Sequence, residues 1–476
     1  MKDIRREIAD KRELRIASLG HEEGFVIPEK RLHPLSSFTQ DKMLICEVKR
    51  SSPSKGKIDE IPSASVQAQM YQKNGAAHVS VLTEPDYFSG SLNDLMEVKA
   101  ACPDLAVLRK DFLLSVKDIN ISYRAGADAC LLIASLLEQD LLIAMHMRCE
   151  ELGMAALVEL HSMDDVIKTK DFKPGLVGIN CRNLKNFRIY PLQPLKIRSL
   201  IDWDCRVVYE SGILKKEDGA FALNAGFSGL LVGEGVVKNP GLISELKNIL
   251  THESTTVSKD PWTKLCSRWR AEKPLVKICG LTNREDFEQA VTLGADLCGF
   301  ILADSPRQTT PDFIRSLPES EALKVGVVVL AENENLPGEI TSLVKDGYLD
   351  LIQYHGKESS ETVAVIEGYK ALRIRCEDDL DKMTEYYPRP SLIDAFSAHQ
   401  AGGTGKQISP ELVQKAKEKG ELWLAGGLNP RNIRKVLEDF EPDLVDLSSG
   451  LEASPGKKDP VKVKAFFKEI ESYAAI

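Results

Sequence analysis

The sequence predicts two consecutive (β/α)8 barrels, the fold class in which eight parallel strands alternate with helices and close into a cylinder. Three observations predict it. Short runs rich in Val, Ile and Leu recur every 20 to 35 residues from about residue 44, with helix-like amphipathic stretches between them. The chain contains eight such runs, a polar interruption, and then eight more. A pair of glycines also repeats at the same spacing in both halves.

The apolar runs are nearly continuous, which is typical of parallel strands covered on both faces. In the first half we predict strands at 44–48, 78–82, 105–109, 129–133, 155–160, 176–180, 206–209 and 229–233. In the second half we predict strands at 275–279, 297–302, 324–329, 350–354, 370–374, 391–395, 422–425 and 444–447. Residues 251–274 are polar, contain a Pro and show no clear strand. We therefore expect domains at 1–252 and 274–476, joined by a linker at 253–273 whose middle could form a helix packed between them.

Composition narrows the class of protein. A chain of 476 residues is longer than one hydrophobic core usually supports, and 43% hydrophobic with 28% charged residues is typical of soluble globular proteins. No run is long enough to span a bilayer, and the charged N-terminus lacks the apolar core of a signal peptide. Ten scattered cysteines without CxxC pairs indicate reduced thiols in a cytoplasm and argue against disulfide or zinc scaffolds. A net charge of −9 without a long basic patch argues against a nucleic-acid partner.

The repeated glycines predict phosphate sites. Gly212 and Gly235 are 23 residues apart, as are Gly427 and Gly450, and the two pairs are offset by 215 residues. Each pair follows the predicted seventh and eighth strands, where barrel loops commonly bind phosphate through backbone N–H groups. Glycine suits such loops because a side chain would hold the phosphate away from the backbone. The alternative is that these are ordinary glycines that end strands.

Ionisable residues stand at the predicted strand ends of the first half. Side chains from several strands converge only at the C-terminal ends, where barrel enzymes place their chemistry. The residues there are Glu47, Lys49, Lys110, Glu159, Asn180, Glu210 and Ser211. We predict a general acid–base site, in which a lysine enclosed by low-dielectric walls could act as an acid near neutral pH. The alternative is a structural network of ion pairs, because buried charges need partners.

The second half ends its strands differently. Cys279 and Asp394 end the first and sixth strands, Arg307 follows the second strand, and His355 follows the fourth. A thiolate opposite a carboxylic acid, beside a phosphate pocket, could transfer protons at a sugar carbon. The Gly-rich stretch 401–406 follows Asp394 and could form a mobile lid. Cys279 could instead be a small buried hydrophobic residue, and His355 could have a structural hydrogen-bonding role.

These motifs carry a resemblance to two enzyme families. The stretches "EVKRSSPSKG", "LRKDF", "VELH", "INCRNL", "ESGI" and "LLVGEG" resemble indole-3-glycerol-phosphate synthases. The stretches "VKICGLT", "SPR", "QYHG", "LIDA", "GGTGK", "LAGGLNPRN" and "DLSSGLE" resemble phosphoribosylanthranilate isomerases. Their order resembles the bifunctional enzymes of tryptophan biosynthesis.

For the second half the resemblance implies an Amadori rearrangement of N-(5-phosphoribosyl)anthranilate. Asp394 would protonate the furanose oxygen as general acid, and Cys279 would remove the proton from the adjacent sugar carbon as general base. Arg307 would hold the anthranilate carboxylate. The remaining expected contacts, to the phosphate and from the lid, are His355, Gly403, Gly426, Gly427, Ser449 and Gly450.

For the first half the resemblance implies closure of the rearranged product to an indole, with loss of CO2 and water. Lys110 would protonate the ketone oxygen, and Glu159 would help the hydroxyl leave. Substrate hydroxyls would be oriented by Glu47, Asn180 and Glu210, which would share the handling of protons. Lys49 would face the anionic groups, and binding would be completed by Ser52, Arg182, Ser211, Gly212 and Gly233. Phe88 and Phe112 would flank the aromatic ring, although core packing is an equally good interpretation of both.

Neither implied reaction needs a metal, nucleotide or redox cofactor, so we expect none. The expected partners are small phosphorylated substrates, without nucleic acid or membrane, and we expect a monomer. Two alternatives stay open: the barrels could convert another sugar phosphate, or one of them could be a non-catalytic scaffold.

Overall fold

The computed structural model describes residues 4–49, 51–52, 56–57, 63–182, 192–252, 261–270, 272–332, 334–386, 389–395 and 409–474. The chain divides into two compact units, Met1–Val257 and Ser258–Ile476. Each unit contains one closed barrel of eight parallel strands, so the predicted fold class is confirmed. None of the described helices is long and apolar enough to cross a membrane.

The first barrel follows the predicted order of strands and helices. Its strands are Met43–Val48, His78–Leu82, Ala106–Lys110, Ala129–Ile133, Ala155–Leu160, Leu176–Asn180, Arg206–Glu210 and Gly229–Val232. Its helices are Ile4–Leu19, Ala64–Lys73, Pro85–Phe88, Leu92–Ala101, Val116–Ala125, Gln139–Glu151, Met163–Thr169, Gln193–Ser199, Lys216–Asn224, Glu234–Lys238 and Leu242–His252. A two-stranded ribbon, Ser51–Ser52 with Gly56–Lys57, follows the first strand.

Closure of this barrel depends on the pairing of its first and eighth strands, which begins at Met43 opposite Gly229. Alternate residues of a strand point to the same side, so Met43 and Ile45 both enter the interior cluster, and Glu47 is next on that face. Local signals agree with the strand pattern. Ser115 and Asp118 form a reciprocal capping box at the start of one helix.

The second barrel repeats the arrangement. Its strands are Leu275–Cys279, Leu297–Ile301, Leu323–Val328, Leu351–Tyr354, Gly368–Ile374, Ser391–Ala395, Trp423–Ala425 and Leu444–Leu447. Its α-helices are Pro261–Ser267, Arg284–Thr292, Pro311–Ser316, Gly338–Lys345, Ser360–Val365, Pro410–Lys417, Ile433–Phe440 and Pro460–Ala474, with 3₁₀ segments at Glu377–Tyr386 and Ser449–Leu451. A short hairpin, Glu452–Ser454 with Lys457–Lys458, follows the last strand.

A helix forms within the predicted linker. It spans Pro261–Ser267, and its fully buried Trp262 packs beside Trp423 in the second unit. The Trp262 indole N–H donates to Glu367 at 2.7 Å. Trp423 begins its strand, and Tyr369 packs edge-on against it. The helix therefore covers the N-terminal ends of these strands, opposite the end that carries the polar residues.

Candidate active sites

The first barrel gathers an ion-pair cluster at the C-terminal ends of its strands. Lys110 ends the third strand, Glu159 lies near the end of the fifth, and Glu210 ends the seventh. Lys110 Nζ lies 3.0 Å from Glu159 Oε2 and 2.7 Å from Glu210 Oε2. Both glutamates are almost fully buried. A single ammonium group therefore bridges two carboxylates that are distant in sequence.

One cavity at this end contains nearly all of the residues predicted for the first barrel. Its lining includes Glu47, Lys49, Phe88, Lys110, Phe112, Glu159, Asn180, Arg182, Glu210, Ser211, Gly212 and Gly233. The side chain of Ser52 is outside the described part of the chain. The polar residues thus share this cavity with two aromatic rings.

The charge state of Lys110 differs from the sequence-based expectation. Burial opposes its charged form, but the carboxylates of Glu159, Glu210 and Glu47 outweigh burial and raise the pKa of Lys110 above its ordinary value. This raised pKa runs against the expectation of a lysine that gives up its proton readily near neutral pH. That expectation was based on burial in low-dielectric surroundings alone, without the three neighbouring negative charges that favour the protonated lysine.

The two buried glutamates have different proton affinities. Burial raises the pKa of Glu159, but Lys110 and His161 outweigh burial and hold that pKa below its ordinary range. Burial raises the pKa of Glu210 to about 8. The ammonium of Lys110 acts to lower this pKa, and the negative charge of Glu159 acts to raise it. Because both carboxylates share Lys110, they titrate as a coupled pair.

Two glycines make room for these carboxylates. A Cβ on Gly178 would lie 2.0 Å from Glu210 Oε1, and a Cβ on Gly233 would lie 2.5 Å from Glu47 Oε1. Glu47 also pairs with Lys49, whose Nζ lies 3.1 Å from Glu47 Oε1. The absence of side chains at Gly178 and Gly233 thus lets neighbouring strands present charged groups to the cavity.

The glycines that follow strand eight, Gly235 and Gly450, are both required by a close contact with a backbone carbonyl. A Cβ on Gly235 would lie 2.5 Å from the carbonyl oxygen of Ile213, and one on Gly450 would lie 1.9 Å from that of Leu428. In each barrel the loop after strand eight therefore packs directly on the residue that follows the glycine after strand seven. The 23-residue spacing between the glycines of each pair therefore reflects a close approach between the backbones of these two loops.

A second cavity lies at the equivalent end of the second barrel. Its lining includes the predicted residues Cys279, Arg307, His355, Asp394, Gly426, Gly427, Ser449 and Gly450. The predicted Gly403, together with the Gly-rich stretch 401–406, lies outside the described residues. The Gly426 and Gly427 backbones have φ angles of 94° and 68°, a region that favours glycine.

Cys279 is enclosed by neighbouring strands. A Cβ on Gly299 would lie 2.7 Å from its Sγ, so the thiol occupies space that a side chain would fill. Burial raises the pKa of the Cys279 thiol, while the ammonium of Lys277 opposes that rise. Lys277 is fully buried two residues earlier on the same strand, and its Nζ donates to Asp446 at 2.6 Å and to Gln353 at 2.7 Å.

His355 and Arg307, two further residues of this cavity, each lie beside a carboxylate. His355 Nε2 lies 3.4 Å from Asp394 Oδ2. Arg307 donates to Glu452 from Nε at 2.8 and 3.0 Å and from Nη2 at 2.8 Å. The acid candidate thus has an imidazole beside it, and the carboxylate-binding candidate is held in a fixed orientation.

Sequence reasoning missed several residues of both sites. His161, whose Nε2 lies 3.1 Å from Glu159 Oε1, stands just beyond the fifth strand in "VELH", so its position was a usable signal. Asp446 belongs to the cavity lining and interrupts the apolar strand pattern "LVDL", which was another usable signal. Glu452 lies in a hairpin beyond the strands and is the last residue of the stretch "DLSSGLE", so it too had a usable signal. Across the described ranges, no group of three or more His, Cys, Asp or Glu residues is arranged to hold a metal ion.

Two family models match the chain in sequence order. The model described as indole-3-glycerol phosphate synthase matches residues 1–249, and the model described as N-(5'phosphoribosyl)anthranilate (PRA) isomerase matches residues 276–469. The first match covers the barrel that contains Lys110, and the second covers the barrel that contains Cys279.

Individual relatives agree with the family models. A multifunctional tryptophan biosynthesis protein of Schizosaccharomyces pombe is 29% identical over 90% of this chain, which spans 59% of that protein. The tryptophan biosynthesis protein TrpCF of Vibrio cholerae is 27% identical over 90% of this chain and 87% of its own length. An indole-3-glycerol phosphate synthase of Lachnoclostridium phytofermentans is 39% identical over 43% of this chain and 77% of its own length.

Further comparisons show how much of its relatives' length the chain spans and which solved structure it is similar to. A second multifunctional tryptophan biosynthesis protein, from Phycomyces blakesleeanus, is 31% identical, and the chain spans 62% of it. The chain thus spans about three fifths of the length of these two fungal relatives. The phosphoribosyl anthranilate isomerase structure from Thermotoga maritima is 34% identical, with a TM-score of 0.38, over 42% of this chain and 99% of that one. The chain belongs to the indole-3-glycerol phosphate synthase family through its first barrel, joined in order to a PRA isomerase domain that forms its second.

Proposed function

We propose that the protein catalyses two successive steps of tryptophan biosynthesis, one in each barrel. The second barrel rearranges N-(5-phosphoribosyl)anthranilate to 1-(2-carboxyphenylamino)-1-deoxyribulose 5-phosphate. The first barrel closes that product to indole-3-glycerol phosphate and releases CO2 and water. The observation that carries the proposal is that each barrel collects its own set of acid and base groups in one cavity at the C-terminal ends of its strands.

In the rearrangement, Asp394 donates a proton to the furanose oxygen, and the ring opens to a Schiff base. Cys279, as thiolate, then removes the proton from the adjacent sugar carbon, giving an enol-amine that becomes the ketone. Lys277 supports this step because its buried ammonium favours the thiolate over the thiol. Arg307 binds the aromatic carboxylate, and the phosphate rests on the backbone at Gly427 and Gly450.

In ring closure, Lys110 donates a hydrogen bond and then a proton to the ketone oxygen as the aromatic carbon attacks. A lysine whose pKa is raised is reliably charged, so its first contribution is to stabilise the negative charge that develops on that oxygen. Loss of CO2 follows. The hydroxyl then leaves as water with a proton from the Glu159 and Glu210 pair, since burial raises the pKa of Glu210 to about 8. Glu47 and Asn180 orient the substrate hydroxyls.

The other predicted residues complete the two sites in this proposal. In the first barrel they are Lys49, Ser52, Phe88, Phe112, Arg182, Ser211, Gly212 and Gly233; in the second they are His355, Gly403, Gly426 and Ser449. Phe88 and Phe112 flank the aromatic ring. The proposal includes a cytoplasmic monomer, and sedimentation velocity measures the oligomeric state.

The test is a pair of substitutions assayed for both steps. Lys110→Ala should abolish formation of the indole product and leave the rearrangement of N-(5-phosphoribosyl)anthranilate intact, and Cys279→Ala should do the reverse. The rearrangement is followed by the loss of substrate fluorescence, and ring closure by indole absorbance. If the wild-type protein left the substrate unconverted, the proposal would be wrong and another sugar phosphate would be indicated. Activity in one barrel alone would indicate that the other is a scaffold.

A further inference from the structure

A hairpin after the last strand of the second barrel contains two buried charges to which the proposed chemistry assigns no role. Glu452 belongs to Glu452–Ser454 and Lys458 to Lys457–Lys458, and the two strands of the hairpin pair antiparallel. The residues are 7% and 1% exposed. Burying an ammonium and a carboxylate is costly unless both are well paired, so their partners show what the hairpin does.

Glu452 fixes the orientation of Arg307. Both carboxylate oxygens accept from Arg307 Nε, at 2.8 and 3.0 Å, and Oε2 also accepts from Nη2 at 2.8 Å. This fork holds the guanidinium plane on one edge. Within the described part of the chain, Arg307 Nη1 makes no hydrogen bond, and Arg307 lines the cavity.

Lys458 ties the hairpin to the general base and to the loop after strand eight. Its Nζ donates to the carbonyl of Cys279 at 2.7 Å, to the carbonyl of Ser448 at 3.2 Å and to Glu452 Oε1 at 3.2 Å. Its backbone N–H donates to Asp286 at 2.8 Å. One ammonium group therefore joins the main chain that carries the thiol to the carboxylate that holds Arg307.

We propose that Glu452 and Lys458 are positioning residues for the rearrangement: Glu452 aims Arg307 at the aromatic carboxylate of the substrate, and Lys458 holds Cys279 in register with it. The inference rests on the proposed function and deepens it. Neither residue acts on the reacting atoms. Glu452 thereby determines specificity for an aromatic amine that carries a carboxylate, while Lys458 governs the rate of proton removal.

The competing explanation is that the network only stabilises the barrel. A structural role would lower the melting temperature and weaken every ligand of the site by a similar factor. A positioning role gives a different pattern, because loss of Glu452 weakens only those ligands that carry the carboxylate.

The test compares two inhibitors of the rearrangement. They are the secondary amines formed from 1-amino-1-deoxyribitol 5-phosphate that carry either a 2-carboxyphenyl or a plain phenyl group. The ratio of their inhibition constants reports the value of the carboxylate contact, and it is read from the rearrangement, so that binding to the first barrel does not contribute. A hydrogen bond to a charged group predicts a wild-type ratio of about 10- to 100-fold.

Glu452→Gln should reduce this ratio to below about threefold, because the neutral amide no longer holds the guanidinium fork. The control Glu438→Gln, on the surface of the same barrel and paired with Arg434, should keep the wild-type ratio. An unchanged ratio in Glu452→Gln would overturn the inference, as would an equal weakening of both inhibitors. Glu452→Asp serves if Glu452→Gln rearranges substrate too slowly, and it should give an intermediate ratio.

Lys458→Met should lower kcat about 100-fold, since a misplacement near 1 Å has about that effect, and should keep the inhibitor ratio within about threefold of wild type. Its matched control is Lys457→Met, the exposed neighbour on the same strand, which should be neutral. An unchanged kcat in Lys458→Met would contradict its role. Should that variant fail to fold, the Glu452→Gln ratio decides the inference by itself. A wild-type protein without rearrangement activity would instead contradict the proposed function.

Discussion

Replacement of Gly178 by alanine should disable ring closure by displacing Glu210. The new Cβ would lie 2.0 Å from Glu210 Oε1, whereas ordinary contacts begin at 3.4 Å. The carboxylate must therefore move by about 1.4 Å to restore ordinary contact. The 2.7 Å hydrogen bond from Lys110 to Glu210 Oε2 would break or lengthen as a result. Because an error near 1 Å costs about 100-fold, we expect kcat for ring closure to fall about 100-fold.

The assay supplies 1-(2-carboxyphenylamino)-1-deoxyribulose 5-phosphate and follows the appearance of the indole. Gly175→Ala is the matched control, because a Cβ there would have nothing within 4 Å. Overpacking should lower the free energy of unfolding of Gly178→Ala by about 1–3 kcal/mol, which urea denaturation measures. A folded Gly178→Ala variant with near wild-type kcat would refute the reasoning, because the position of Glu210 would then not matter.

Three further predictions concern the second barrel. Burial raises the pKa of the Cys279 thiol, so alkylation of Cys279 by iodoacetamide, followed by peptide mass spectrometry, should keep accelerating beyond about pH 8.5; a rate that levels off below about pH 7 would contradict this. Lys277→Met removes the ammonium that opposes this rise in the pKa of Cys279, and should move the alkylation profile to higher pH; an unshifted profile would exclude that role. Trp262→Ala, at a fully buried indole, should lower the free energy of unfolding of this unit by about 3–5 kcal/mol in urea denaturation, and a change below about 1 kcal/mol would argue against the packing described.

Strand positions were predictable because their signal is local. Buried parallel strands need runs of apolar residues, and every predicted strand lies within two residues of an observed one. Lys110, Glu159 and Glu210 were predictable for a related reason. The topology of the barrel brings all C-terminal strand ends to one face, so their proximity follows from the fold once the strands are known.

The roles of several missed residues depend on contacts between distant parts of the chain. Lys277 and Asp446 are register partners only because the first and eighth strands pair when the barrel closes. Glu452 meets Arg307 through a hairpin that no apolar pattern marks. The charge state of Lys110 depends on its distances to three carboxylates, and strand positions give the proximity of these groups but not the distances.

The linker illustrates a different difficulty. Its polar composition left a helix in its middle open, and the helix that forms, Pro261–Ser267, buries Trp262, Leu265 and Cys266 along one face. Short segments of this kind are set by tertiary packing, because isolated helices of such length are unstable in water.

The central claim is that two independent sites act in sequence on one substrate, and mixing two inactivated proteins tests it most directly. Lys110→Ala and Cys279→Ala are each given N-(5-phosphoribosyl)anthranilate, first separately and then together, and indole-3-glycerol phosphate is measured. We predict that neither variant alone forms it and that the mixture does, because the intermediate released by one protein is closed by the other. Formation of the indole by either variant alone, or its absence from a mixture of correctly folded proteins, would contradict the account.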